Sequence, residues 1–146
     1  MPIRVPADSP HAAALEGLDV DGLVFVAAGP AIGDDWEAVR HELGDAFVSS
    51  RDAMRDGRPI VYVVAGEDLL GRRGAPAAMV ACGLLSAART AAIEGARAGV
   101  PINVVAPFEG VDPSEVAIWV GRLLEASGVT GELVRLGADH LGKALP

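Results

Sequence analysis

Cysteine is almost missing from this chain. Cys82 stands alone among 146 residues, which excludes internal disulfides and any cysteine-rich zinc site. Positive charge is also in short supply, with 12 Lys and Arg against 20 Asp and Glu for a formal charge of -8. No basic run offers the electrostatic footprint that a nucleic acid needs, so nucleic-acid binding is excluded. The opening Met1 to Asp8 lacks the continuous apolar core of a signal peptide, and the expected compartment is the cytoplasm. Internal repeats, low-complexity tracts and linkers are absent too, and the length suits one domain. Against these absences stand a 51% hydrophobic share, 22% charged residues and a mean hydropathy of +0.34, a composition that folds around a core.

Three apolar runs have the length and β-branched content of buried strands: Leu23 to Ala28, Pro59 to Ala65, and Ile102 to Ala106. Each is followed by a Gly or Pro signal, and helical stretches lie between them. The alternation predicts an α/β domain with a parallel sheet and crossover helices. A first long helix is expected from Asp34 or Asp35 to Arg55, with Trp36, Val39, Leu43, Phe47 and Met54 as its inward stripe. Asp112-Pro113-Ser114-Glu115 is a variant capping box that opens a helix carrying Val116, Ile118, Trp119, Leu123 and Leu124 to a stop near Gly128. Glu132 to Leu136 reads as a last strand. Ser9-Pro10 opens a short helix through Leu18, with Ile3 to Val5 as a small strand before it, and the charged stretch Glu67 to Arg73 reads as a solvated connection.

The middle helix carries the most information. From Ala77 to Ile93 only Ser86, Arg89 and Thr90 are polar, so no clean hydrophilic face exists and the helix is expected to be buried nearly all round. The segment is too short and too interrupted by Arg89 for a membrane span. The remaining reading places one side on the sheet and the other on a second chain, with Ala77, Ala78, Ala81, Gly83, Ala87, Ala88 and Ala91 permitting close approach.

Most residues with chemical potential have an ordinary reading. Cys82 is expected in apolar packing, with no cation nearby in sequence to activate it. His11, His41 and His140 share no ligand spacing, and His41 with Glu42 or Asp45 reads as a solvated helix face. Gly29-Pro30-Ala31-Ile32-Gly33 lacks the Lys and Ser/Thr of a phosphate loop and leads into two carboxylates, so it reads as a tight turn. Asp34 and Asp35 read as helix caps and not as a divalent-ion site.

Taken in order, the segments resemble the short-chain dehydrogenase/reductase family, in particular its ketoacyl-reductase-like members. Leu23 to Gly29 resembles the fourth strand with its Asn-Asn-Ala-Gly turn, and Ile60 to Gly66 resembles the fifth, which normally delivers the catalytic serine. The helix from Pro76 resembles the one bearing Tyr-x-x-x-Lys. Gly99 to Pro107, Pro113 to Ala117 and Val129 to Glu132 are similar to the family's Gly-Ile-x-Val-Asn-x-Val-x-Pro, Pro-x-Glu-Val-Ala and Ile-Thr-Gly-x signatures. The resemblance implies a truncated Rossmann-like parallel sheet of four or five strands with flanking helices. It divides residues 1–146, one truncated domain, into a remnant strand and helix (1–20, the family's third strand and its helix or, for Ile3 to Val5, a filler of the first-strand place), a core (21–137) and a tail (138–146).

The departures set the functional expectation. Counted back from Asn103, the tyrosine position falls at Ala77 and the lysine position at Ala81; the serine position falls at Val63, within one residue, and the helix asparagine near Glu42. Two alanines can neither transfer a proton nor grip a ribose. No Gly-rich turn is seen that would seat a pyrophosphate, and the lid after the family's Pro-Gly is missing because Pro107 to Val111 runs almost directly into the Asp112 cap. The resemblance therefore implies an inactive chain with no bound cofactor and no metal, NAD(P) being held by an active full-length partner of the same family. Pairing would use a four-helix bundle built from Asp34 to Arg55 and Pro76 to Ala98. Phe47, Arg51, Met79, Leu84, Ala88 and Ala91 are the residues expected at that contact, with Leu84 and Ala88 on the solvent side, and Trp119 is a core anchor able to serve a second interface. The alternative is a homodimer that binds an acyl thioester or nucleotide in the cleft near Gly29, Gly66 and Pro107. Replacement chemistry from Glu42, Glu67, Asp68 or His41 is a third and weaker reading.

Overall fold

The computed structural model describes residues 3–138; the expected tail, with His140, lies outside them almost entirely. Five strands form one parallel sheet in chain order: β1 (Ile3–Arg4), β2 (Leu23–Val26), β3 (Ile60–Val63), β4 (Ile102–Pro107) and β5 (Leu133–Leu136). The helices are α1 (Ala12–Glu16), α2 (Trp36–Arg55), α3 (Gly66–Leu69), α4 (Ala75–Gly95) and α5 (Pro113–Glu125), with 3-10 turns at Gly29–Ile32 and Ala96–Ala98. The α/β architecture with a parallel, Rossmann-like sheet is as the strand spacing requires.

Side-chain alternation divides the core into two layers. Leu23, Phe25, Ile60, Tyr62, Ile102 and Val104 meet α2 and α4 on one face, while Val24, Val26, Val61, Val63 and Val105 meet Leu15 of α1 and the inner stripe of α5 on the other. Because β2, β3 and β4 are covered on both faces, each reads as a continuous apolar run with no alternation. The Asp112 carboxylate caps α5 by accepting from the Ser114 amide at 2.8 Å, and Asp35 caps α2 by accepting from the Glu37 amide at 3.0 Å. Asn103, fully buried, explains why its stretch of sequence stands out. Its Nδ2 donates to the Val129 carbonyl at 2.8 Å and its Oδ1 accepts from the Glu132 amide at 3.1 Å, fastening the approach to β5.

Several sequence expectations are corrected. The inner stripe of α2 is Val39, Glu42, Ala46, Ser50 and Ala53; Trp36 is more than half exposed and Phe47 is 65% exposed. Of the expected stripe Val39 is buried and Leu43 and Met54 pack against the core, while small side chains seat the helix on the sheet and leave Trp36 and Phe47 outside. On α4, Leu84 and Ala88 face the core at 2% and 1% exposure and do not face solvent. Phe47, Arg51 and Met79 are exposed, whereas Ala91 and Trp119 are half-buried. Cys82 is exposed on α4, not enclosed in packing. Segment 67–73 is no solvated loop: it begins in α3 and buries Asp68. Finally, β1 pairs with β2 in the register Ile3↔Val24 and Arg4↔Phe25, so the small strand expected at Ile3 to Val5 lies at the edge of the sheet beside β2.

By length and composition alone, Ala75–Ala98 could cross a membrane. Its apolar inner face, including Val80, Ala81, Leu84, Leu85 and Ala88, is spent on the sheet and on α2, which makes it a core helix.

Candidate functional site

A cleft of about 740 Å³ opens at the carboxyl ends of the strands, the position at which open α/β sheets bind ligands. Four loops build it: Pro6 to His11 after β1, Ala27 to Ala31 after β2, Ala65 to Arg73 after β3, and Pro107 to Val111 after β4. The β1 loop has prolines at 6 and 10 and no glycine. The helix behind it, α1, is five residues long with no side-chain cap. Nothing here reproduces a Gly-rich turn delivering a long helix to a pyrophosphate.

Ala77 and Ala81 are buried on α4, and neither lines the cleft. Val63 lines it with an apolar side chain; of its two neighbours Val64 is apolar and buried, and Tyr62 turns its hydroxyl to Ser50 at the groove between α2 and α4, so neither brings a hydroxyl into the cleft. In front of α4, the Arg73 guanidinium makes a two-pronged pair with Asp68, at 2.8 Å for both Nε and Nη2. Asp68 is 1% exposed, and its hydrogen bonds raise the Arg73 pKa above its already high ordinary value. The pair packs against Gly29, whose φ of +58° and whose missing side chain allow the approach; a Cβ there would lie 3.4 Å from Asp68 Oδ2. On the opposite side, Phe108 covers Gly66 so closely that any Cβ at position 66 would run into its ring.

Glu42 is the second departure made visible by the structure. Its carboxylate, 4% exposed, receives both Arg4 Nη1 (2.7 Å) and Arg4 Nη2, and Oε1 also accepts from the Ala28 amide at 2.8 Å. Arg4 further donates to the Val26 carbonyl at 3.0 Å and lies over the Phe25 ring. A carboxylate held in this way ties β1, the turn after β2 and α2 together. Its helical neighbour His41 points outward, 3.4 Å from Asp45 on the exposed face, so His41 and Glu42 do not act together.

Three carboxylates, Asp8, Glu67 and Glu109, stand in the remaining polar lining. Glu67 Oε1 accepts from the Glu109 amide at 2.7 Å, bridging the loops after β3 and β4, and Glu109 itself also faces the cleft. His11 Nδ1 is buried with no hydrogen-bond partner among the described residues, and desolvation lowers the His11 pKa, favouring the neutral ring. Among the described residues no cluster of His, Cys, Asp and Glu has a metal-ligand arrangement. Asp35 is occupied as a helix cap. The Asp68–Arg73 pair, the Arg4–Glu42 pair and the Phe108 cover all escaped sequence reading, because their partners are joined by loop geometry and not by spacing.

On the other side of the molecule, α2 and α4 leave between them a groove of about 790 Å³, lined mainly by apolar residues including Leu43, Phe47, Met54, Gly83, Ala87 and Ala91. Leu43 packs so near Gly83 that a Cβ there would sit 3.3 Å from Leu43 Cδ2. Ser50 and Tyr62 share a 2.5 Å hydrogen bond at its floor, and burial raises the Tyr62 pKa.

No protein-family model matches this sequence, and no curated protein matches it. Among solved structures, a short chain dehydrogenase from Mycobacterium smegmatis is similar with a TM-score of 0.65 and 26% sequence identity, over 82% of this chain and 59% of that one. This chain thus spans about three fifths of the length of that relative. The sheet order, the two helical layers and this likeness together make the chain short-chain-dehydrogenase-like in fold.

Proposed function

We propose that this chain is a catalytically inactive, short-chain-dehydrogenase-like subunit of the cytoplasm that pairs through α2 and α4 with a full-length, active oxidoreductase of that family. One observation carries the proposal: alanines 77 and 81 stand buried on α4 where the family's tyrosine and lysine are expected, neither lines the cleft, and the arginine that does, Arg73, is paired with Asp68. A methyl group has no proton to give, and an arginine neutralised by Asp68 has little charge left for a phosphate. Carboxylates at Glu67 and Glu109 oppose a pyrophosphate further, so NAD(P) is assigned to the partner. The groove between α2 and α4 supports the pairing, since Phe47 in its lining remains exposed beside Leu43, Met54, Ala87 and Ala91, an apolar surface of the kind that marks an interface.

The test is the native mass of the complex recovered gently with this chain tagged, each subunit being identified, followed by NAD(P)H oxidation assays on the complex and on each separated chain. A stoichiometric assembly with a full-length dehydrogenase, turnover residing in that partner, is the expected result. Turnover by the purified chain alone, or a homodimer with no companion, would overturn it. A second reading, a homodimeric receptor for an acyl thioester or nucleotide, is favoured by one feature, the His11 nitrogen at the cleft, unpartnered among the described residues. Thermal stabilisation of the isolated homodimer by such a ligand would select that reading.

A further inference from the structure

We infer that residues 3–11 form a strap whose main fastening is the clamp of Arg4 on Glu42, and that releasing the clamp opens the cleft wall and bares the edge of β2 together. This stands apart from the pairing proposed above, which uses a groove that neither Arg4 nor Glu42 lines. Asp45 lies 3.9 Å from the same guanidinium, and Ile3 and Val5 rest on the core. The strand β1 has two residues, both only partly buried, and its ladder to β2 covers two register pairs. So short a strand is marginal by its backbone bonds alone. The side chain of Arg4 supplies what the ladder lacks: it reaches the end of β2 through the Val26 carbonyl, the Phe25 ring through its face, and α2 through both oxygens of Glu42. Glu42 in turn holds the Ala28 amide, so one carboxylate fastens the strap, the turn after β2 and the long helix.

Two consequences follow from the position of the clamp. The strap continues as Pro6 to His11, which is one wall of the cleft, so the state of the clamp decides whether the cleft has that wall. The strap also covers the outer edge of β2. Leu23 and Ala27 donate their amides to Pro59 and Val63 on the β3 side, and alternation along the strand turns the amides of Val24 and Val26 toward β1. Losing the strap would leave those two groups as a free parallel edge.

The alternation also makes the test specific. Amide exchange would be followed by NMR on the whole chain for the wild type, Glu42→Met and Arg4→Met. Glu42→Met removes the buried carboxylate along with the clamp and leaves no stranded charge on α2, so it tests the strap even if Arg4→Met fails to fold. In Glu42→Met, exchange at Val24 and Val26 should accelerate at least about tenfold, the equivalent of losing one charge-assisted pair. Phe25 and Ala27 should keep wild-type rates. Unchanged rates at Val24 and Val26 would overturn the inference, because the strap would then hold without its clamp. Equal acceleration at all four positions would overturn it as well, since the pair would then support the whole sheet and not the strap.

Discussion

Phe47 offers the sharpest test of the groove between α2 and α4. It leaves the inner stripe of its helix, is 65% exposed, and has as its described cation–π neighbour the Arg51 guanidinium, 5.9 Å from the ring centroid. A phenylalanine carries about 200 Å² of surface, so about 130 Å² is open for a partner to cover. At roughly 25 cal/mol per Å² this is about 3 kcal/mol for one protomer, or about 200-fold in Kd. Phe47→Ala should therefore weaken the assembly about 200-fold while costing the separated chain less than about 1 kcal/mol, the scale of an exposed cation–π contact. Leu84→Ala is the contrasting variant, because this residue is 2% exposed and lies in the core. It should cost about 2–5 kcal/mol of folding stability. Sedimentation equilibrium of the complex would give the Kd, and urea unfolding of the separated chain would give the stability. An unchanged Kd for Phe47→Ala would refute the assignment of the groove as the contact, as would a loss of folding stability as large as that of Leu84→Ala.

Other variants probe the sheet and the cleft. Asn103→Ala strands the Val129 carbonyl and the Glu132 amide and should lower stability by about 2–4 kcal/mol, measured by urea unfolding, with protection lost first in β5. Gly66→Ala should destabilise the chain by forcing the Phe108 ring aside, and Phe108→Ala in the same chain should recover part of the loss, a coupling that a double-mutant cycle of melting temperatures would expose. For His11 the folded pKa lies below the ordinary value of 6.5. The unfolded chain therefore binds its proton first as pH falls, so the stability contribution is complete above about 6.5 and declines below it. His11→Gln should flatten the stability profile from pH 7 to 5, and an unchanged slope would refute the role of burial.

The legible part of this protein is the part written in local pattern. Continuous β-branched runs identify β2, β3 and β4, because a strand covered on both faces must be apolar at every position. Asp112-Pro113 and Asp35 mark helix starts through capping chemistry that acts within three residues. The motif around Asn103 is recognisable because one side chain must reach two backbone groups near β5. The alanines at 77 and 81 could be placed by counting, since the interval to Asn103 is a helix and a short turn.

What the sequence could not disclose was the direction in which ambiguous residues face. On α2 the large apolar side chains suggested the inner stripe, yet the spacing between helix and sheet admits Ala46, Ser50 and Ala53 and pushes Phe47 out. On α4 nearly every position is small or apolar, so periodicity carries no phase, and only packing puts Leu84 and Ala88 inward. The pairs Arg4–Glu42 and Asp68–Arg73 depend on loops and strand order that bring distant groups together. Composition, strand number and cap positions were thus determined by the chain itself through short-range physics. The facing of each helix and the place of β1 were decided by tertiary packing, where the same residues serve a buried or an exposed role according to what lies opposite.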